Sequence, residues 1–244
     1  MWKFTFLFIS LTAVFGQERK MKTLDELIIK EDSAWPIVLE MVKNARNPVF
    51  IVEGNKDDNK AVLYQTQVTT RSPMGAITYE TGGIFVDKGW LRILGGTSKK
   101  MGRDIGTWNF PKEGVPKIPG VFLVADDVLG GFFAINGGAL GDQLGKVFYF
   151  GPDTLQWENT NLGYSEFLNF AFNGDLELFY KDFRWKGWQE EISELSGEKG
   201  ISVYPFLWSK ELPLEKRSRK PVPILELLNL NLDFQKQLIE AQEP

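Results

Sequence analysis

The 244-residue chain contains neither histidine nor cysteine. Without imidazole it cannot build a Ser-His-Asp triad, a histidine general base or a His-containing zinc site. Without a thiol it cannot use thiolate nucleophiles or thiolate metal sites, and it offers no cysteine for a lipid anchor after a signal cut. Disulfides are excluded for the same reason, so no covalent cross-link holds the fold together. Long apolar runs are scarce: the one that stands out, Phe4 to Phe15, is relieved only by Thr5, Ser10 and Thr12. It falls short of the about 20 residues that a membrane span needs. Excess positive charge is missing too, since 28 Lys and Arg face 32 Asp and Glu for a net charge of −4. That balance argues against nucleic acid and anionic membrane as partners, because both require a basic face. The one basic run, Lys216-Arg217-Ser218-Arg219-Lys220, is expected to be a solvated loop ahead of a helix.

Met1-Trp2-Lys3, the apolar run and the abrupt polar break at Gln17-Glu18-Arg19-Lys20 follow the order of an export signal. Val14 and Gly16 place modest side chains three and one residues before a cut at Gln17. Residues 1–16 are therefore expected to be a cleaved signal peptide, and the mature chain to be periplasmic or extracellular with no membrane segment. An uncleaved anchor, or a cytosolic start at Met21, are the competing interpretations. Losing Lys3 makes the mature chain one unit more acidic. With 43% hydrophobic and 14% aromatic residues, residues 17–244 suffice for a single folded domain with a C-terminal helical extension.

Asp32-Ser33-Ala34-Trp35-Pro36 predicts a helix start, with Asp32 or Ser33 as cap and Pro36 in the first turn. Val49 to Val52 reads as a short strand and Asp57 to Gln67 as a helix. The middle of the chain is β-branched or aromatic and punctuated by glycine: Ile77 to Tyr79, Ile84 to Val86, Trp90 to Leu94, Val121 to Ala125, Phe132 to Ile135 and Val147 to Phe150. Asp87-Lys88-Gly89 suits a three-residue hairpin. After Pro152 helices return at Tyr164 to Phe172, Leu176 to Phe183 and Trp188 to Leu195, followed by an extended stretch, Ile201 to Trp208, and a last helix opening at Pro223. The expected class is α+β, a mostly antiparallel sheet with helices before and after it. Arg217 to Pro223 is the best candidate for an internal boundary.

Catalytic templates fail one by one. Gly145-Lys146 lacks the leading glycine and the following Ser or Thr of a P-loop, and Asp57-Asp58-Asn59 lacks the glycine and terminal glutamate of a calcium loop. Ser196-Gly197-Glu198-Lys199 has only the bare spacing of a Ser-x-x-Lys site. The glycines of Gly130-Gly131 and Gly137 to Gly141 do not fit the dinucleotide fingerprint. No cofactor and no metal is expected.

One enzymatic route survives the composition, a carboxylate pair acting on a glycan. Asp126 and Asp127 end a predicted strand, but as neighbours they point to opposite faces; the plainer expectation is a turn whose carboxylates accept backbone hydrogen bonds. Tryptophans at positions 90, 108, 157, 185, 188 and 208 either line a groove or belong to the core. On a strand, Trp90 and Arg92 would share one face and Leu91 and Ile93 the other. If the aliphatic pair points inward, Trp90 and Arg92 face outward, and Trp and Arg are common interface anchors. With Asp126, Asp127 and Asn136, which marks the reversal before Gly137-Gly138, they form the candidate binding set. The expected role is a non-catalytic module that binds another protein; the alternative is a glycan, bound or cleaved.

Several strings resemble an uncharacterised bacterial family, domain of unknown function twenty-six twenty-five. They are Thr69-Thr70-Arg71-Ser72-Pro73-Met74-Gly75-Ala76, Thr81-Gly82-Gly83-Ile84, Gly89-Trp90-Leu91-Arg92-Ile93-Leu94-Gly95 and Ala125-Asp126-Asp127-Val128 through Asn136-Gly137-Gly138. Phe150-Gly151-Pro152-Asp153-Thr154-Leu155, Gly163-Tyr164-Ser165-Glu166-Phe167-Leu168, Arg184-Trp185-Lys186-Gly187-Trp188 and Arg219-Lys220-Pro221-Val222-Pro223 extend the resemblance over roughly Met21 to Leu228. It implies no activity. At the level of pattern, Leu129 to Asn136, Val147 to Phe150 and Ser165 to Leu168 are also similar to the SUKH superfamily, which includes toxin-immunity proteins. That similarity implies a SUKH-like α+β binding module without catalysis; the export signal and the extra terminal helices are departures from it.

Overall fold

The computed structural model describes residues 21–112, 114, 117–209 and 211–241. The expected signal peptide, residues 1–16, lies outside the described residues. The class is α+β, as the sequence predicts.

Chain order begins with α1 (Leu24–Leu27), held by a capping box between Thr23 and Glu26. In α2 (Trp35–Lys43), Pro36 occupies the first turn as expected. The N-cap position is Ala34, so the cap is displaced: Trp35 N–H donates to Ser33 Oγ at 3.2 Å. Strand β1 (Val49–Glu53) leads to α3 (Lys56–Thr66), capped by Asn55. Next comes α4 (Pro73–Glu80), where the sequence predicts a strand over Ile77 to Tyr79. The upstream start signal wins: Gly75 N–H donates to Ser72 Oγ at 3.1 Å and Pro73 opens the first turn. A Cβ at Gly75 would stand 2.0 Å from the Thr69 carbonyl oxygen, so only glycine lets α4 sit this close to its own entry loop.

Strands β2 (Thr81–Val86) and β3 (Leu91–Ile93) form the expected hairpin, but the connection takes four residues. Asp87 to Gly89 make a 3-10 turn with Lys88 at φ 59° and Trp90 follows in helical conformation, outside the strand. After α5 (Ile105–Asn109) come β4 (Val121–Asp127), β5 (Phe132–Asn136), β6 (Val147–Phe150) and β7 (Trp157–Leu162). β7 corrects the expectation that helix resumes directly after Pro152; its sequence WENTNL is polar because it is an edge strand. Helices α6 (Tyr164–Asn173), α7 (Leu176–Phe179) and α8 (Trp188–Ile192) precede β8 (Lys199–Tyr204), β9 (Ser218–Pro223) and α9 (Ile224–Glu240). β9 overturns two expectations together, the solvated basic loop and the boundary at Arg217 to Pro223. Those residues pair with β8 from Tyr204↔Ser218 to Lys199↔Pro223.

Strands β1 to β7 lie in sequence order, each antiparallel to the next. One row crosses all seven: Phe50, Phe85, Arg92, Asp126, Phe132, Phe150 and Trp157 are successive register partners and share a face. Arg92 on that face donates to the Lys199 carbonyl of β8, so the small sheet covers it. The opposite face carries Ile84, Ile93, Ala125, Phe133 and Tyr149, and meets α6 and α7 where Phe167 lies 4.9 Å from Phe133 and Phe179 lies 5.4 Å from Tyr149 between ring centroids. The central strands are thus buried on both sides. Among the described residues no helix is long and apolar enough to cross a membrane.

Candidate binding surface

The structure puts all five sequence-predicted contact residues in the interior. Trp90 is 0% exposed, and its ring is enclosed by Tyr180, Trp185 and Trp188 at 5.5, 5.8 and 4.9 Å. The Arg184 guanidinium sits 5.2 Å from the Trp90 ring and pairs with Asp87 and Glu177. Arg92 is 1% exposed, which corrects the outward-facing expectation. The alternation rule assumes one solvated face; β3 is central and has none, and it begins only after Trp90.

Arg92 Nε donates to Asp126 Oδ1 at 2.7 Å and Nη2 donates to the Asp127 carbonyl at 3.1 Å. The second Asp126 oxygen faces Arg103 Nη2 at 2.5 Å. Two buried guanidiniums therefore share one carboxylate, and burial pushes the Arg103 guanidinium below its ordinary pKa while Asp126 holds it up. Asp127 points to the other face, as strand alternation requires. Its Oδ1 accepts from Leu129 and Gly131 N–H, both at 2.9 Å, and its Oδ2 accepts from Tyr149 Oη at 2.8 Å. Burial raises the Asp127 pKa to about 6, against these three hydrogen bonds. On opposite faces of a covered sheet, the two carboxylates do not form a glycan-cleaving pair.

Asn136 is buried with its amide fully used. Its Nδ2 donates to the Gly141 and Gln143 carbonyls at 2.8 and 3.1 Å, and its Oδ1 accepts from Gly138 and Leu140 N–H at 2.8 and 3.0 Å. It ties a loop in place and has nothing left for a ligand. The tryptophans resolve toward the core: Trp108, Trp185 and Trp188 are buried with Trp90, while Trp157 and Trp208 are half-buried.

The accessible chemistry lies at the sheet edge instead. β1 pairs with β2 alone, and an edge strand carries unpaired backbone donors and acceptors along its free side. Phe50 on β1 is 51% exposed. It separates two clefts and lines both, together with Lys100. The larger, about 920 Å³, carries Glu53, Asp58, Lys99 and Arg103; the smaller, about 280 Å³, carries Pro48, Val49, Phe85, Lys88 and Leu195. Lys100 Nζ lies 4.1 Å from the Phe50 ring centroid and 5.6 Å from that of Phe85. At the opposite edge, the cleft beside Leu162, Ser165 and Asn169 presents no aromatic side chain as exposed as Phe50. Val49 to Val52 is legible as a strand from its composition, but its place at the end of the sheet depends on pairings that no local pattern encodes.

A seven-stranded antiparallel meander covered on both faces, with one apolar edge left open, defines the class of protein. The chain belongs to the family described as Protein of unknown function DUF2625, which matches residues 24–227. It is similar to a putative uncharacterized protein YbfG of Escherichia coli strain K12, 45% identical over 209 residues, covering 85% of this chain and 94% of that one. An uncharacterized protein of Haemophilus influenzae strain Rd is 41% identical over 208 residues, covering 84% and 91%.

Proposed function

We propose that this is an exported, non-catalytic module that binds an extended segment of another protein along the free edge of β1. The observation that carries the proposal is Phe50, half-exposed on an edge strand between two clefts. An added strand gains main-chain hydrogen bonds from the edge, while flanking clefts receive alternate side chains and set specificity. The SUKH-like sequence pattern, with its implication of a binding module, favours the same role. Glycan binding has less support, because the tryptophans among the described residues, needed as stacking platforms, are buried or half-buried.

The test is selection of displayed random peptides on the purified protein, followed by affinity measurements with Phe50→Asp. Selected peptides should lose about tenfold or more in affinity for the variant, and their binding should slow amide exchange over Val49–Glu53. Failure to select any peptide, or selected peptides indifferent to Phe50→Asp, would overturn the proposal.

A further inference from the structure

The smaller cleft has a charge pattern that the edge strand alone does not explain. Apolar side chains of Pro48, Val49, Phe50, Phe85 and Leu195 line it together with Ser193, Lys88 and Lys100, and no acidic residue does. Among the described residues neither ammonium has an ion-pair or hydrogen-bond partner. Asp87, next to Lys88 in the chain, is already engaged by Arg184. Lys88 is held at φ 59°, a conformation that side-chain-bearing residues seldom adopt.

We infer that this cleft receives the C-terminal residue of the bound segment, with an apolar side chain against Phe50 and Phe85 and its free carboxylate between Lys88 and Lys100. The inference rests on the edge-strand reading above. Its volume, about 280 Å³, is below the range of about 300–1,000 Å³ for sites of drug-sized ligands and suits one side chain. Direction follows from β1: Val49 at its start lines the small cleft and Glu53 at its end lines the large one. A chain added antiparallel to β1 therefore ends beside Val49, where the lysines stand, and antiparallel addition is the more stable pairing per residue. The mixed charge of the larger cleft then faces the upstream part of the segment.

The experiment uses the whole mature protein and two peptide pools, N-acetyl hexapeptides with five random residues and a final leucine, one ending as the free acid and one as the amide. Octanoate serves as a third probe, an apolar acid with no peptide backbone. The free-acid pool should bind about tenfold more tightly than the amide pool. Lys88→Gln and Lys100→Gln should each remove most of that difference without changing the unfolding midpoint, since both side chains are exposed and neither has an ion pair or hydrogen bond among the described residues. Equal binding of acid and amide that still depends on Phe50 would overturn the chain-end subsite and leave the edge reading standing. Binding of octanoate without either pool would make the cleft a small-acid site and overturn the inference. Absence of binding by all three probes would overturn it too.

Discussion

At the scale of single residues, burial decides which polar groups are structural. Asp126 neutralises one charge of two guanidiniums, so its removal and the removal of Arg103 have unequal consequences. Asp126→Asn leaves Arg92 and Arg103 buried without the carboxylate they share and should cost about 3–5 kcal/mol, the usual loss when one partner of a buried pair is deleted. Arg103→Met leaves the Arg92 to Asp126 pair intact and should cost clearly less; urea midpoints of the two variants check the order. Asp127 carries a pH signature. Its folded pKa of about 6 lies above the about 3.9 of an unfolded aspartate, so between these values the folded state holds more proton than the unfolded one. Its contribution is complete below about pH 4 and is lost as pH rises toward 6, by an amount on the order of 3 kcal/mol. Asp127→Asn keeps an acceptor for Leu129 and Gly131 N–H but cannot titrate. Subtracting its stability curve from that of the wild type, pH 4 to 7, should leave a falling difference; a flat or rising one contradicts the assignment.

At the scale of elements, composition gave type and neighbours gave position. Helix α9 reads as amphipathic from Pro223 onward, and it is one-sided: Leu227 and Leu228 are buried, Leu225 and Leu238 exposed. Its Asn231 donates to the Gly130 carbonyl at 3.0 Å, fastening it to the β4–β5 turn. Leu228→Ala should therefore cost about 2–5 kcal/mol, while Leu225→Ala should stay within about 0.5 kcal/mol. Chemical denaturation of both would show whether α9 is an integral wall of the core. The misread elements share one cause: α4, β7 and β9 have compositions that contradict their local periodicity, and a cap or a ladder partner overrides it. In β9 the basic side chains suit the solvated side of an edge strand, so charge alone did not distinguish strand from loop.

At the scale of the whole molecule, we propose that the apolar start and the polar break at Gln17 serve export. Cleavage after Gly16 is expected in the native host, and the intact mass of the recovered protein measures it directly. A product that keeps Met1, or one that begins at Met21 in the cytosol, would refute export.

The sequence by itself determined the chemistry that is out of reach, because absent histidine and cysteine cannot be supplied by folding. It also determined the α+β class and most strands, since β-branched and aromatic runs between glycines are local signals. It placed Asp126 and Asp127 on opposite faces, which follows from strand geometry alone. Only the tertiary structure decided exposure. Trp90 and Arg92 are interior because β8 and the segment from Tyr180 to Trp188 close over the central strands, with contacts such as Arg92 to Lys199 spanning more than a hundred residues. Phe50 is accessible because β1 is the first strand of a sequential sheet, with no further strand paired on its outer side among the described residues. Whether a strand is central or marginal is a property of pairings distant in sequence, and those pairings decide which residues stay accessible.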